Sequence, residues 1–228
     1  TVALAAGNPR TLSLTTVAAG AASGAPFGTQ PVVSVLDGAG NVVATSSATV
    51  TMTVSSGGSI VGTASVTAVN GVARFSSVGI SGAIGTYTLG FSTGGLTSAT
   101  QTLALTAGVA TQLALTTSAA GTASGVAFTT QPVVAIRDGA GNTVTSDNSS
   151  IVTMTVSAGG TVVGTATSTA SGGVARFSTV GIAGTAGTSY TLTFAKTGLI
   201  PATQSITPTF GTSLLPSSKA KKSSVPCA

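Results

Sequence analysis

Residues Thr29–Val43 read TQPVVSVLDGAGNVV, and Thr130–Val144 read TQPVVAIRDGAGNTV. Val50–Gly58 (VTMTVSSGG) returns as Val152–Gly160 (VTMTVSAGG), and Gly71–Ile80 (GVARFSSVGI) as Gly173–Ile182 (GVARFSTVGI). The offset is 101 residues at the first block, 102 at the next two, and 103 at Tyr87/Tyr190 and Phe91/Phe194. A drift this small means single insertions in loops on a kept framework. A period near one hundred residues is too long for a solenoid repeat of roughly 20–50 residues and matches one small domain. With 42% hydrophobic residues, each copy can fill a core of its own. Tandem copies supply length or valency, whereas an active site is normally built once.

Within each copy the pattern is that of strands. Val50, Met52 and Val54 alternate with Thr51, Thr53 and Ser55, and Val152, Met154 and Val156 repeat the alternation. Tyr87, Leu89 and Phe91 do the same, as do Tyr190, Leu192 and Phe194. Period-two apolar placement gives one buried and one wet face, and β-branched Val and Thr suit the pleat. Val33 and Val35 correspond to Val134 and Ile136, so these positions point inward. Leu36 corresponds to Arg137, so that position is expected to point outward, because burying an unpaired Arg is costly. Turn chemistry separates the runs: DGAGN at Asp37–Asn41 and Asp138–Asn142, and Asn70–Gly71 between two alternating runs, a strong hairpin signal. Ser171-Gly172-Gly173 stands at the second hairpin and reads as one residue longer, a step of the drift. About seven short strands per copy predict an all-β fold of two β-sandwiches.

The motif order is TLSLTT or QLALTT, then PVV-x-V/I-x-DGAGN, VTMTVS, GVARF and finally G-T-(S)-YTL-x-F. This order resembles the bacterial immunoglobulin-like domains of invasin- and intimin-type surface proteins, twice over, across nearly all of residues 10–211. The resemblance implies two tandem immunoglobulin-like sandwiches, with Tyr87 and Tyr190 where a tyrosine corner lies. A Cys…Trp…Cys core is lacking, so the antibody type is excluded. The organisation expected is an extra strand at 1–7, a first domain at 8–107, a second at 108–211, and a basic Ser/Lys/Pro tail at 212–228. The join at Ala107–Thr111 is very short, which predicts a semi-rigid rod.

Thr1–Gly7 (TVALAAG) matches Thr102–Gly108 (TLALTAG) at five of seven positions. The latter is the last strand of the first domain, so the former reads as the last strand of a domain that precedes it. The corresponding strand of the second domain, Gln204–Gly211 (QSITPTFG), carries Pro208 where the first has Leu105. Proline deletes a ladder donor and belongs at a strand edge or end. An unpaired strand with an apolar face is a poor free state. Two explanations stand: strand addition to a neighbouring subunit, which propagates as a filament when the contact does not close, or a cut from a longer array. The assembly residues on this reading are Thr1, Val2, Ala3, Leu4, Ala5, Ala6 and Gly7 at one end and Gln204, Ile206, Pro208 and Phe210 at the other.

Composition narrows the function classes. Only 5% of residues are charged, and there is no Glu, His or Trp. A surface so neutral and hydroxyl-rich offers little repulsion between neighbouring molecules. Lys219, Lys221 and Lys222 account for much of the net charge of +5 and lie in the tail, where they touch an anionic envelope or a neighbouring subunit, or are simply solvated. The body holds Arg10, Arg74, Arg137, Arg176 and Lys196 against Asp37, Asp138 and Asp147, without the basic stripe and interleaved aromatics of a nucleic-acid binder. Serines and threonines abound but no histidine can activate them, and metal catalysis lacks histidine ligands. The expectation is therefore a non-enzymatic chain with no cofactor. Asp37, Asn41, Asp138 and Asn142 are the calcium candidates. Each loop offers one carboxylate where calcium wants several among six to eight oxygens, so Asx-type turns are preferred. Lys196 suits an isopeptide crosslink poorly, with no Glu beside it and Thr93 or a neighbour in the other copy. Asn148-Ser149-Ser150 has the form of a glycosylation sequon, against the plainer reading of a polar loop. Cys227 is single, so it is free or pairs between chains. No apolar run is long enough to span a membrane, and the opening TVALAAG fits a mature secreted protein or an excised fragment. The function expected is a repeating subunit of an extracellular or bacterial cell-surface filament or stalk, with itself as partner, head to tail. The alternative is an adhesin or virion appendage whose loops recognise glycans or a host surface; only 4% of residues are aromatic, which tilts against it.

Overall fold

The structure, a computed structural model, describes residues 5–210. Thr1, Val2, Ala3 and Leu4 of the extra strand, and the tail with its three lysines and Cys227, lie outside the described residues. Every regular element described is a β-strand. The first half contains β1 (Pro9–Thr16), β2 (Ala25–Pro26), β3 (Val32–Asp37), β4 (Thr49–Val54), β5 (Gly58–Val61), β6 (Ser65–Thr67), β7 (Val72–Arg74), β8 (Gly79–Gly82), β9 (Gly85–Ser92) and β10 (Ala99–Leu105). The second half repeats the order with β11 (Ala110–Thr117), β12 (Val126–Ala127), β13 (Val133–Asp138), β14 (Ile151–Val156), β15 (Thr161–Val163), β16 (Thr167–Ser171), β17 (Val174–Arg176), β18 (Gly181–Ala183), β19 (Tyr190–Ala195) and β20 (Ala202–Ile206).

In the first half a β1-β3-β7 sheet faces a β10-β9-β4-β6 sheet, with β2-β8-β5 at the side. The second half has the same plan, except that β16 and β17 pair directly and join the two sheets into one. Each half is thus an immunoglobulin-like β-sandwich. Alternation is what builds it. Val50 and Met52 on β4, and Tyr87, Leu89 and Phe91 on β9, point into one apolar cluster, while Thr51 and Thr88 point away from it. Val152, Met154, Tyr190, Leu192 and Phe194 fill a second, separate cluster. Register carries the packing across strands: Met52 stands opposite Phe91, and Met154 opposite Phe194. In each core a phenylalanine pair meets edge to face, Phe75 with Phe91 and Phe177 with Phe194, both at 5.6 Å between centroids. Each such fully buried side chain contributes about 1.5–3 kcal/mol.

Two expectations need revision. The hairpins are of equal length: Val69 bridges Val72 and Ser171 pairs with Val174, leaving two-residue turns Asn70-Gly71 and Gly172-Gly173. All four turn residues have positive φ, as the primed hairpin turns require. The extra residue of the second copy lies instead in the loop before β14. There the Asp147 carboxylate accepts the Ser149 and Ser150 amides and the Ser150 hydroxyl. The Leu36/Arg137 position is also less open than expected, since both side chains are half-buried. The Arg137 Nε is buried without a hydrogen-bond partner among the described residues.

Candidate functional site: the module junction

The DGAGN turns anchor the segments that enter each sandwich. Asp37 ends β3 and is buried, although it is charged. Its Oδ1 accepts the amides of Ala39 and Asn41, both at 2.9 Å. Its Oδ2 accepts the Gly7 amide at 2.8 Å and the Asn41 side-chain amide at 3.2 Å. Asp138 repeats the arrangement with Ala140 (3.0 Å), Asn142 (2.8 Å), Gly108 (2.8 Å) and the Asn142 side chain (2.9 Å). Each carboxylate oxygen thus accepts two N–H donors, the pattern of an Asx turn extended to clamp the incoming segment. The Gly7 amide, followed by the Asn41 donors, holds the Asp37 carboxyl down at about 2. For Asp138, burial pushes the pKa up, but the bonds from Asn142, Gly108 and Ala140 outweigh it and the net shift is downward. Both groups are therefore ionised at neutral pH.

The second clamp binds one sandwich to the next. β10 ends at Leu105. Thr106 then donates its amide to Ala21 O (3.0 Å) and accepts from the Ser23 amide (3.0 Å). Two residues later Gly108 is already tied to Asp138, and β11 begins at Ala110. The crossing is tight: a Cβ on Gly108 would lie 2.0 Å from Ser23 O, so only glycine fits. Asn142 closes the joint from the other side. Its Nδ2 donates to Gly82 O (2.9 Å) and its Oδ1 accepts the Ile84 amide (2.9 Å). One side chain thus reaches a carbonyl and an amide of the turn between β8 and β9 while keeping its bond to Asp138. Bonding to both ends of the amide fixes its orientation. A crevice of about 260 Å³ lies alongside, lined by Ser23, Ala25, Ser81, Val109, Thr111 and Ala140.

The other residues singled out from the sequence fall elsewhere. Ala5, Ala6 and Gly7 are exposed and form no strand pairing among the described residues. Gln204 lies on β20, where its side chain bonds both the amide and the carbonyl of Ala119, as Gln101 does with Ala18. Ile206 is buried opposite Tyr190. Pro208 is buried beyond the end of β20, and its carbonyl accepts the Gly187 amide. Phe210 is exposed. The Tyr87 hydroxyl donates to Ala83 O at 2.9 Å, four residues upstream, and the Tyr190 hydroxyl accepts from the Thr185 amide at 2.9 Å. Asn148 Oδ1 accepts the Gly172 amide of the turn between β16 and β17. Lys196 is half-buried, and among the described residues its Nζ makes only a 3.5 Å contact, with Thr197 O. Asp147 titrates low: burial raises it, but the Ser150 bonds, with Lys196 nearby, outweigh that. No group of three His, Cys, Asp or Glu side chains capable of holding a metal occurs among the described residues. Nor is any helix there long and apolar enough to cross a membrane. Eight of the nine aromatic side chains are buried, Phe210 being the exception. A groove of about 400 Å³ between Val66, Val69, Val72 and Arg74 therefore has no aromatic platform.

No protein family and no curated protein matches the chain's sequence. Among solved structures it is similar to domains 5-6 of the S-layer protein SbsC, at 20% identity over 90% of this chain and 100% of that one, with a TM-score of 0.30. It is similar to invasin, a bacterial integrin-binding protein, at 17% identity over 88% of this chain and 39% of that one, with a TM-score of 0.34. A β-glycosidase from Bacteroides vulgatus is 13% identical over 88% of this chain, with a TM-score of 0.38. The chain spans 25% of that glycosidase's length. Each of these is a likeness of β-rich architecture.

Proposed function

We propose that this chain is a non-enzymatic structural unit of an extracellular, bacterial cell-surface assembly, extended by head-to-tail joining of immunoglobulin-like modules. One observation carries the reading: the junction is a built joint. A free linker would leave the modules to tumble; here a single residue, Ala107, separates Thr106, bonded to the first sandwich, from Gly108, bonded to the second. Asn142 adds two direct bonds between them. Such a joint sets direction, which is what a stalk or filament needs from a repeat. The first half of the same joint recurs at Gly7 and Asp37, at the upstream end of the first module. The burial of eight of nine aromatics supports a scaffold over a glycan-binding surface, which stacks sugars on exposed rings.

The test is electron microscopy of the purified chain together with a form lacking residues 1–7. The reading expects regular filaments from the intact chain and their loss on deletion. Dispersed short particles from the intact chain would refute it and favour an adhesin. Filaments that survive the deletion would refute the part assigned to residues 1–7.

A further inference from the structure

The two turns clamped by Asp37 and Asp138 are the same machine in different company. Asn142 is half-buried, with its Oδ1 on Ile84 N and its Nδ2 shared between Asp138 and Gly82 O. Asn41 holds the equivalent place against Asp37 but is exposed, and its Oδ1 has no partner among the described residues. At the downstream end the complementary groups recur. Gly184 corresponds to Gly82; its carbonyl accepts one bond, from the Ser124 hydroxyl, as Gly82 O accepts one from Ser23. Ala186 corresponds to Ile84, and its amide has no partner among the described residues. The one-residue insertion in this turn falls after Ala186, outside the two contact positions. Gly7 adds a separate sign. A Cβ there would meet nothing nearer than 3.6 Å, so this chain alone does not require glycine, whereas Gly108 requires it because Ser23 O of the preceding module presses on it.

We infer that the Asp37–Asn41 turn with Gly7 is a docking socket for a second copy of this chain, which presents its Gly184–Ala186 turn to Asn41. This rests on the head-to-tail reading and assigns the residues that fix its register. Asn41 Nδ2 donates to the partner copy's Gly184 carbonyl, and Asn41 Oδ1 accepts the amide two residues on. The joint has room for one crossing segment. Ala5–Gly7 already leads to Asp37, so residues after Pro208 in the docked copy leave their bridge to Ala123, and Ala5 takes it. The bonds given up are Thr209 N to Thr122 O and Ser124 N to Thr209 O. Ala5 restores both kinds, as Thr106 shows in the internal joint by bonding Ala21 and Ser23. Few new bonds are needed, because the exchange is nearly even and the Asn41 pair is the surplus.

The experiment is sedimentation velocity across a concentration series on the intact chain, Asn41→Ala and Gly7→Val. Asn41→Ala removes two hydrogen bonds from the contact and weakens association about 10–100-fold. Gly7→Val has space within its own chain, so it keeps the wild-type melting temperature yet blocks docking against the partner copy's Ser124 region. Association in the wild type that is weakened in both variants supports the socket. Equal association in all three overturns the socket and leaves the array reading standing. A wild type that stays monomeric throughout overturns both.

Discussion

Phe91→Ala removes a ring that is fully buried and meets Phe75 edge to face at 5.6 Å. The loss of transfer energy plus the cavity left in a close-packed core costs about 3–5 kcal/mol. For a domain near one hundred residues, each kcal/mol lowers the melting temperature by about 4–8 °C, so the first module falls by at least about 12 °C. The second module has its own cluster around Phe194, and none of its buried residues touches Phe91. Its stability depends on the first module only through the joint, chiefly the two Asn142 bonds, worth about 1 kcal/mol each. Differential scanning calorimetry of Phe91→Ala should therefore show two transitions, the lower with about half the enthalpy and the upper little moved. Phe194→Ala should give the mirror result. A single transition that shifts as a whole in either variant would refute the two-core account and make the chain one cooperative unit.

Gly71→Ala places a Cβ 2.4 Å from Val43 O at φ +75, whereas Gly40→Ala at φ +87 meets nothing within 4 Å. Urea unfolding should therefore show about 1–2 kcal/mol lost for Gly40→Ala, from left-handed strain alone, and clearly more for Gly71→Ala. Tyr87→Phe removes the bond to Ala83 O and should cost about 1 kcal/mol, measured the same way. Melting temperature should be flat between pH 5 and 7, since the chain has no His or Glu. Asp37, Asp138 and Asp147 all have lowered pKa values in the fold. Their stabilisation is complete above the unfolded aspartate value near 4 and is lost as pH falls toward about 2, the folded value of Asp37. A titration of stability centred near pH 6 would contradict this assignment.

The strand faces were legible because alternation is a local signal: Val33, Val35, Met52, Leu89 and Phe91 sit in the core where period two puts them. The hairpin length is not legible in Ser171-Gly172-Gly173, because Ser171 continues β16 and only Gly172 and Gly173 turn. The joint was half visible. DGAGN announced turns, but which N–H groups would fill each carboxylate depends on segments 30 residues upstream, Gly7 and Gly108. Asn142 gave no sign of its role, because Asn41 has the same neighbours in sequence and differs only in what stands beyond it. The glutamine clamps also went unread. Gln30 and Gln131 each bond the amide and carbonyl of the residue just before β8 or β18, Val78 and Val180, as Gln101 and Gln204 bond Ala18 and Ala119 after β1 and β11. Their recurrence at matched places in both copies was the available signal.

Gly108, Asp138 and Asn142 hold the joint between the modules. Double electron–electron resonance reads it directly, with nitroxides at Val69→Cys and Ile151→Cys, both exposed in the structure, in a Cys227→Ser background. The account predicts one narrow distance distribution in the otherwise native chain and a broad one once Asn142→Ala is added. A distribution already broad with Asn142 in place, or unchanged by its loss, would contradict it.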